Sequence, residues 1–196
     1  MKGLIILADG FEDVEAIAVI DILKRADIEV DKICLNDTKK VTTSSNLDIV
    51  LSKSLKEINY KEYDFLVLPG GKATFNYLDK SYDVARIVEY FCEHKLLTCA
   101  ICAAPMIIGK LGYLKDKEYT VFPGCGEKII HGKLSLDPVV KDKNIITARA
   151  MYYANDFALE IVETIKGKEK RIEIEKQIKG LLWGIYLWKK RKLMKK

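Results

Sequence analysis

Leu96-Leu97-Thr98-Cys99-Ala100-Ile101-Cys102-Ala103-Ala104-Pro105-Met106-Ile107-Ile108-Gly109 is the stretch that decides the fold. Its first six residues form an apolar run too short and too rich in β-formers for a helix, and Pro105 suits the first turn of a following helix. The stretch reads as a buried strand, a tight turn and a helix, with a thiol at the corner. A side chain held there is exposed at the end of a sheet, as in the nucleophile elbow of hydrolases. The unpaired N–H groups and dipole of the helix are expected to favour thiolate over thiol. Cys102 is therefore the leading candidate for a reactive cysteine.

The pattern repeats on either side. Strands are predicted over 2–8, 29–35, 48–52, 64–68, 119–122 and 144–148, and helices over about 13–26, 82–95, 103–112, 155–166 and 169–188. Alternation of this kind, with nearly continuous apolar strands, indicates an α/β fold with a mainly parallel sheet covered on both faces. Internal repeats and Gly/Ser-rich linkers are absent, so residues 1–188 are expected to form a single domain ending in a docking helix, followed by a basic tail over 189–196.

Composition narrows the class. With 49% hydrophobic and 31% charged residues, the chain reads as a soluble globular protein. No apolar run approaches the ~18 residues of a membrane span, and the strand-like start Met1-Lys2-Gly3-Leu4-Ile5-Ile6-Leu7 carries no signal-peptide pattern, so a cytoplasmic location is expected. Taking the six positive charges of residues 189–196 from the formal +5 leaves −1, so the body lacks the basic surface that nucleic-acid binding needs. The tail reads as a solvated terminus. The aromatic segment Leu181–Trp188 before it reads as a docking or oligomer-packing helix rather than a membrane-surface one.

The five cysteines form an odd set without framework spacing and are expected to be reduced. Cys99 and Cys102 make a C-x-x-C, but Cys99 falls inside the strand, where positions three apart face opposite ways. His94 and His131 are the only histidines. A thioredoxin-like pair, a zinc site and a Cys-His triad are all disfavoured, and no metal is expected.

Three strand ends carry distinctive chemistry on one side of the sheet, where open α/β sheets bind ligands: Asp9-Gly10-Phe11-Glu12-Asp13-Val14-Glu15, Pro69-Gly70-Gly71-Lys72 and Ile101-Cys102-Ala103. Glu15 lies in a helix whose next five residues are apolar. It either decorates the helix start or is buried and protonated, able to donate to a thiolate or relay a proton. Gly70 and Gly71 permit a tight turn, and the N–H of Gly71 with that of Ala103 would make an oxyanion hole. Arg149, after the strand Asn144–Ala148, is positioned to bind an anion or to brace the site, and Met151-Tyr152-Tyr153 to wall a pocket or simply pack.

These segments together resemble the ThiJ/PfpI superfamily, in particular the branch of the parkinsonism-linked protein deglycase. Leu7-Ala8-Asp9-Gly10-Phe11-Glu12-Asp13-Val14-Glu15, Val67-Leu68-Pro69-Gly70-Gly71 and Ala100-Ile101-Cys102-Ala103-Ala104-Pro105 look like its signature segments, and the similarity continues through Phe122-Pro123-Gly124 and Ile145–Arg149 to Val162. The resemblance implies a flavodoxin-like three-layer sandwich, similar to class I glutamine amidotransferases, usually dimeric and without cofactor. It makes Cys102 the reactive cysteine and Glu15 its protonated partner. Gly70, Gly71 and Ala103 become the oxyanion segment, and Lys72, Phe122, Arg149 and Tyr152 candidate pocket residues. The implied activity is glyoxalase- or deglycase-type conversion of reactive 2-oxoaldehydes or glycated adducts; the alternative is an oxidative-stress sensor acting through Cys102. Two departures are visible. Phe122 stands where some relatives have histidine, and Ala150-Met151-Tyr152-Tyr153 replaces a usual Gly-Pro-Gly-Thr-like segment. Ala103 replaces the histidine of the protease branch, and no late His-x-Glu pair is present, which disfavours peptidase and amidotransferase chemistry.

Overall fold

The computed structural model describes residues 1–127 and 129–181. In chain order the elements are β1 (Lys2–Leu7), α1 (Asp13–Arg25), β2 (Glu29–Cys34), β3 (Lys40–Thr42), β4 (Asp48–Val50), β5 (Lys53–Ser54), β6 (Phe65–Leu68), α2 (Lys72–Asn76), α3 (Tyr82–Glu93), β7 (Leu97–Ile101), α4 (Pro105–Lys110), β8 (Glu118–Tyr119), β9 (Lys133–Leu134), β10 (Val139–Asp142), β11 (Ile145–Ala148), α5 (Ala154–Lys166) and α6 (Lys168–Ile178). Seven strands form the central sheet in the order β10-β11-β7-β6-β1-β2-β5, parallel except for the antiparallel edge strand β10. This is the α/β sandwich read from the alternation.

The inner strands explain themselves. β6 and β7 are buried at every position, and β1 at every position after Lys2, as strands covered on both faces must be. α1 buries Glu15, Ala16, Val19, Ile22 and Leu23, the three-to-four spacing of one helical stripe. α3 is capped by Ser81, whose hydroxyl accepts the Val84 N–H at 3.3 Å, and buries Val84, Ile87, Val88, Phe91 and Cys92.

The order of the strands fixes where the site lies. β1 leads through α1 to β2 on one side, whereas β6 leads through α3 to β7 on the other. Right-handed crossovers in opposite directions place α1 and α3 on opposite faces. Accordingly α1 packs on β2 and α5, and α3 on β6 and β7. The order reverses between β1 and β6, and the crevice beyond the carboxyl ends of strands at such a reversal is where open α/β sheets bind ligands.

Three local expectations change. The strand expected at 48–52 is β4, which pairs with β3 in a separate ribbon, while the sheet edge is formed by the two residues of β5. The strand expected at 119–122 shrinks to β8, paired with β9 outside the main sheet. β10 and α2 were not anticipated: four and five residues are too few for a periodic signal. The helix expected over 169–188 ends early: α6 stops at Ile178, and a turn follows at 179–180 with Gly180 at φ 69°; the aromatic segment beyond Leu181 and the basic tail lie outside the described residues. Among the described residues no helix is long and apolar enough to cross a membrane.

Candidate active site

Cys102 immediately follows β7 with φ at 63°, in the left-handed region that side-chain-bearing residues rarely adopt. Holding a non-glycine residue there costs about 1–3 kcal/mol, and the surroundings impose it. The Cys102 N–H donates to the Ala148 carbonyl at 2.9 Å, and its own carbonyl accepts the Phe122 N–H at 2.8 Å. Cys102 is thereby latched between the end of β11 and the segment after β8. The turn closes with Ala104 N–H on the Ile101 carbonyl at 3.1 Å, and Pro105 opens α4. The strand–turn–helix corner expected from the sequence is present, with Cys102 half-buried.

Glu15 comes from the other side of the crevice. It lies in the first turn of α1, points into the protein and is fully buried. The Gly70 N–H donates to Oε2 at 2.7 Å, while Oε1 is buried without a hydrogen-bond partner. Gly70 is the gap through which acid and thiol approach each other: a Cβ there would stand 2.7 Å from both the Cys102 Cβ and Glu15 Oε2. Gly71, at φ 85°, presses against the first loop, where a Cβ would meet the Gly10 carbonyl oxygen at 2.5 Å. Phe11 bridges to Gly71, and the Glu12 N–H donates to the Gly70 carbonyl at 3.3 Å. The loops after β1 and β6 are therefore clamped together, which fixes Glu15 relative to Cys102.

Burial pushes the Glu15 carboxyl up to about 7, against the Gly70 N–H and the Cys102 thiol, which favour its charged form. Burial likewise pushes the Cys102 thiol up to about 12, reinforced by the charge of Glu15 and the hydrogen bond to it, while the N–H groups of Gly71 and Ala103 pull the other way. The helix terminus expected to favour the thiolate is therefore opposed by burial and by the Glu15 charge, which push the thiol the other way. α4 has only six residues, and its N–H groups are outweighed by burial and by a neighbouring carboxylate. Both effects of Glu15 act through its charge, so a proton moved from sulfur to carboxyl removes them. Acid and thiol titrate as one pair.

The remaining expected residues divide. The N–H groups of Gly71 and Ala103 favour the charged form of the Cys102 thiol. Gly70 was expected to bind an anion as well, but its N–H is committed to Glu15 Oε2, which corrects that assignment. Phe122 and Arg149 line a cavity of about 390 Å³ beside the elbow. Lys72 is exposed at the start of α2, and Tyr152 is 84% exposed with its ring edge-on to Tyr153. His94 lies before β7, at the strand end opposite Cys102, stacked on Tyr90 at 4.1 Å between centroids. His131 is exposed in a turn, and its carbonyl accepts the Asp116 N–H from another segment. Among the described residues, no group of three His, Cys, Asp or Glu side chains is placed to hold a metal. The sequence reading missed the two latches, Ala148 and Phe122, because both act through backbone atoms that any residue supplies. It also missed Thr120, whose buried hydroxyl has no partner.

The DJ-1/PfpI family profile matches residues 1–164. The chain belongs to the DJ-1/PfpI family. Protein dj-1beta of Drosophila melanogaster is 36% identical over 183 residues, spanning 92% of this chain and 96% of that protein. Its crystal structure superposes with a TM-score of 0.83, covering 92% of this chain and 97% of the fly chain. The glutathione-independent glyoxalase DJ-1 of Schizosaccharomyces pombe is 27% identical over 187 residues, 91% of this chain and 98% of the yeast protein. The structure of oxidized Toxoplasma gondii DJ-1 has a TM-score of 0.85 at 25% identity, covering 90% and 97% of the two chains. The resemblance in the signature segments was thus to the correct family, and the DJ-1/PfpI fold accounts for the sandwich and its reversal point.

Proposed function

We propose that this DJ-1/PfpI protein converts reactive 2-oxoaldehydes, free or as glycated adducts, into 2-hydroxy acids without a cofactor, with Cys102 as nucleophile and Glu15 as the proton carrier. The observation that carries this reading is the buried Glu15 carboxyl, one oxygen unpartnered, facing across Gly70 a thiol held at φ 63°. A similar protein from fission yeast named as a glyoxalase supports it.

In the first step the Cys102 sulfur attacks the aldehyde carbon while its proton passes to Glu15, a base poised at about 7. The carbonyl π pair moves onto oxygen, which takes that proton back from Glu15 to give the hemithioacetal. The N–H groups of Gly71 and Ala103 favour negative charge on the sulfur as its proton leaves. Glu15 then takes the proton from the former aldehyde carbon; the C–H electron pair forms the enediol C=C bond and the ketone π pair moves onto its oxygen, which takes the hydroxyl proton of the first carbon. Glu15 returns its proton to the second carbon as the first carbon's oxygen re-forms C=O, so the ketone becomes an alcohol and the first carbon a thioester. Water cleaves the thioester, releasing the 2-hydroxy acid and restoring the thiol. Lactate formation from methylglyoxal, followed by chiral chromatography, tests the reading. Wild type produces lactate and Cys102→Ala does not; absence of turnover across several 2-oxoaldehydes overturns it.

A second reading, oxidation of Cys102 by peroxide reversibly to a sulfenic acid and onward to a sulfinic acid beside Glu15, is favoured by the solved oxidized relative and by the half-buried position of Cys102. Selective oxidation of Cys102 at low peroxide in a protein without turnover would establish it. We further propose that the chain pairs with a second copy, as the family resemblance implies, through the face bearing Val14, Ile17, Leu47 and Val50, which are 41%, 47%, 60% and 80% exposed. Sedimentation velocity of wild type and Ile17→Lys measures this directly.

A further inference from the structure

The cavity of about 390 Å³ beside the elbow contains two polar side chains whose needs the protein leaves unmet. Arg149 Nη2 and Thr120 Oγ1 are both buried and both lack a hydrogen-bond partner. Their backbones are already occupied: the Arg149 N–H donates to the Pro138 carbonyl at 2.9 Å and the Thr120 N–H to Thr147 Oγ1 at 2.9 Å. Only the side-chain donors remain open. Arginine–carboxylate pairs among the described residues are those of Arg25 and Arg171, so Arg149 does not have the structural ion pair that is the commoner use of such a residue. Val121, Phe122, Pro123 and Leu136 supply an apolar lining, and Glu127 is the one acid among the described lining residues. A buried guanidinium nitrogen and a buried hydroxyl left unsatisfied cost stability unless a ligand completes them.

The cavity adjoins the nucleophile through the sheet register. Ala148 pairs with Ile101, so Arg149 follows one strand as Cys102 follows its parallel neighbour. Phe122, in the cavity wall, donates its N–H to the Cys102 carbonyl at 2.8 Å. A donor pair in a mostly apolar cleft suits a small planar anion, because a guanidinium fork matches the two oxygens of a carboxylate.

We propose that this cavity is a carboxylate subsite beside Cys102, in which Arg149 and Thr120 hold the carboxylate of the 2-hydroxy acid product or of an acidic 2-oxoaldehyde substrate. The identity of the molecule carrying that carboxylate rests on the glyoxalase reading; the binding itself does not. Isothermal titration of lactate into wild type and Cys102→Ala is the primary test. Both proteins should bind lactate, and Arg149→Met and Thr120→Val should each weaken binding about tenfold, the loss of one charge-assisted or buried hydrogen bond. Thr120→Ser should restore it, and Glu127→Gln should tighten it by removing a like charge. Circular dichroism melts identify any variant whose loss comes from unfolding.

A kinetic arm separates the two sources. If the substrate's own carboxylate is the ligand, kcat/KM for 4,5-dioxopentanoate exceeds that for methylglyoxal in wild type, and the ratio falls about tenfold in Arg149→Met. If only the product is held, the ratio stays near unity and lactate inhibits wild type more strongly than Arg149→Met. Failure of lactate to bind wild type and Cys102→Ala, or binding unchanged by folded Arg149→Met and Thr120→Val, overturns the subsite even if methylglyoxal is turned over. Binding with the expected variant pattern in a protein without turnover sustains the subsite and overturns the glyoxalase reading instead.

Discussion

Two carboxylates stand at opposite ends of the sheet, and the protein treats them in opposite ways. Asp31, toward the amino ends of β1 and β2, accepts hydrogen bonds from Tyr63 Oη at 2.7 Å and Lys53 Nζ at 2.9 Å, with Lys2 Nζ at 3.0 Å. Burial pushes it up, but Tyr63, Lys53 and Lys2 pull it further down, to about 2. Glu15, beyond the carboxyl ends, receives one N–H on Oε2 and nothing on Oε1, and burial carries it up to about 7. A carboxylate with three donors is finished as a structural group. One with a single N–H donor, buried against a thiol, retains an affinity for a proton that chemistry can use.

The largest effect expected from breaking this contrast is on turnover. Glu15→Gln keeps the shape and an acceptor for the Gly70 N–H but removes the group that carries the proton. Turnover of methylglyoxal should fall about 10²- to 10⁴-fold, the usual worth of positioned acid–base catalysis. Steady-state lactate assays measure it, and a loss under about tenfold would reduce Glu15 to a spacer.

The next effect is on stability. The folded carboxyl of Glu15 binds its proton more tightly than the unfolded one, at about 7 against 4.5. Between those values the folded state holds more protons, so stability falls as pH rises through the window. The whole contribution is about 3 kcal/mol, present in full below pH 4.5 and gone above 7. Denaturant melts across that range on wild type and Glu15→Gln isolate it, since the variant lacks this part of the slope. An identical slope in both proteins would show that Glu15 is not the titrating group.

Gly70→Ala sharpens the comparison from the side of geometry. The added Cβ meets Cys102 and Glu15 at 2.7 Å, and overpacking of this kind costs about 1–3 kcal/mol. Chemical denaturation gives the cost, and thiol alkylation rates report whether the pair has been separated. The glycine also shows how far the site could be read from sequence. The strand–turn–helix corner at Cys102 and the apolar run after Glu15 were legible because periodicity and Pro105 act locally. That Gly70 spaces the pair while its N–H serves Glu15 rather than an anion was not legible, because it depends on how β6 sits between β1 and β7. The upward push on the Cys102 thiol was hidden for the same reason: the helix start is visible in the sequence, but the burial and the charge that oppose it come from other elements. Thr120 gave no signal either, since an unsatisfied hydroxyl is defined only by what surrounds it.

The smallest effect belongs to the opposite end of the sheet. Asp31→Asn leaves Lys2 and Lys53 without their shared partner, yet both ammonium groups reach water: their side chains are 35% and 44% exposed. Water therefore screens most of the loss, which should be about 1 kcal/mol or less near neutral pH. The sign follows from the lowered titration. The stabilisation is present above pH 3.8 and lost as acid carries the folded carboxyl through about 2, so wild type and Asp31→Asn should converge in stability toward that pH. Lactate formation should be unchanged, because nothing in the Asp31 cluster touches the crevice between β1 and β6. A substantial loss of turnover in Asp31→Asn, at undiminished stability, would mean that the two ends of the sheet are coupled and that the division between structural and reactive carboxylates is wrong.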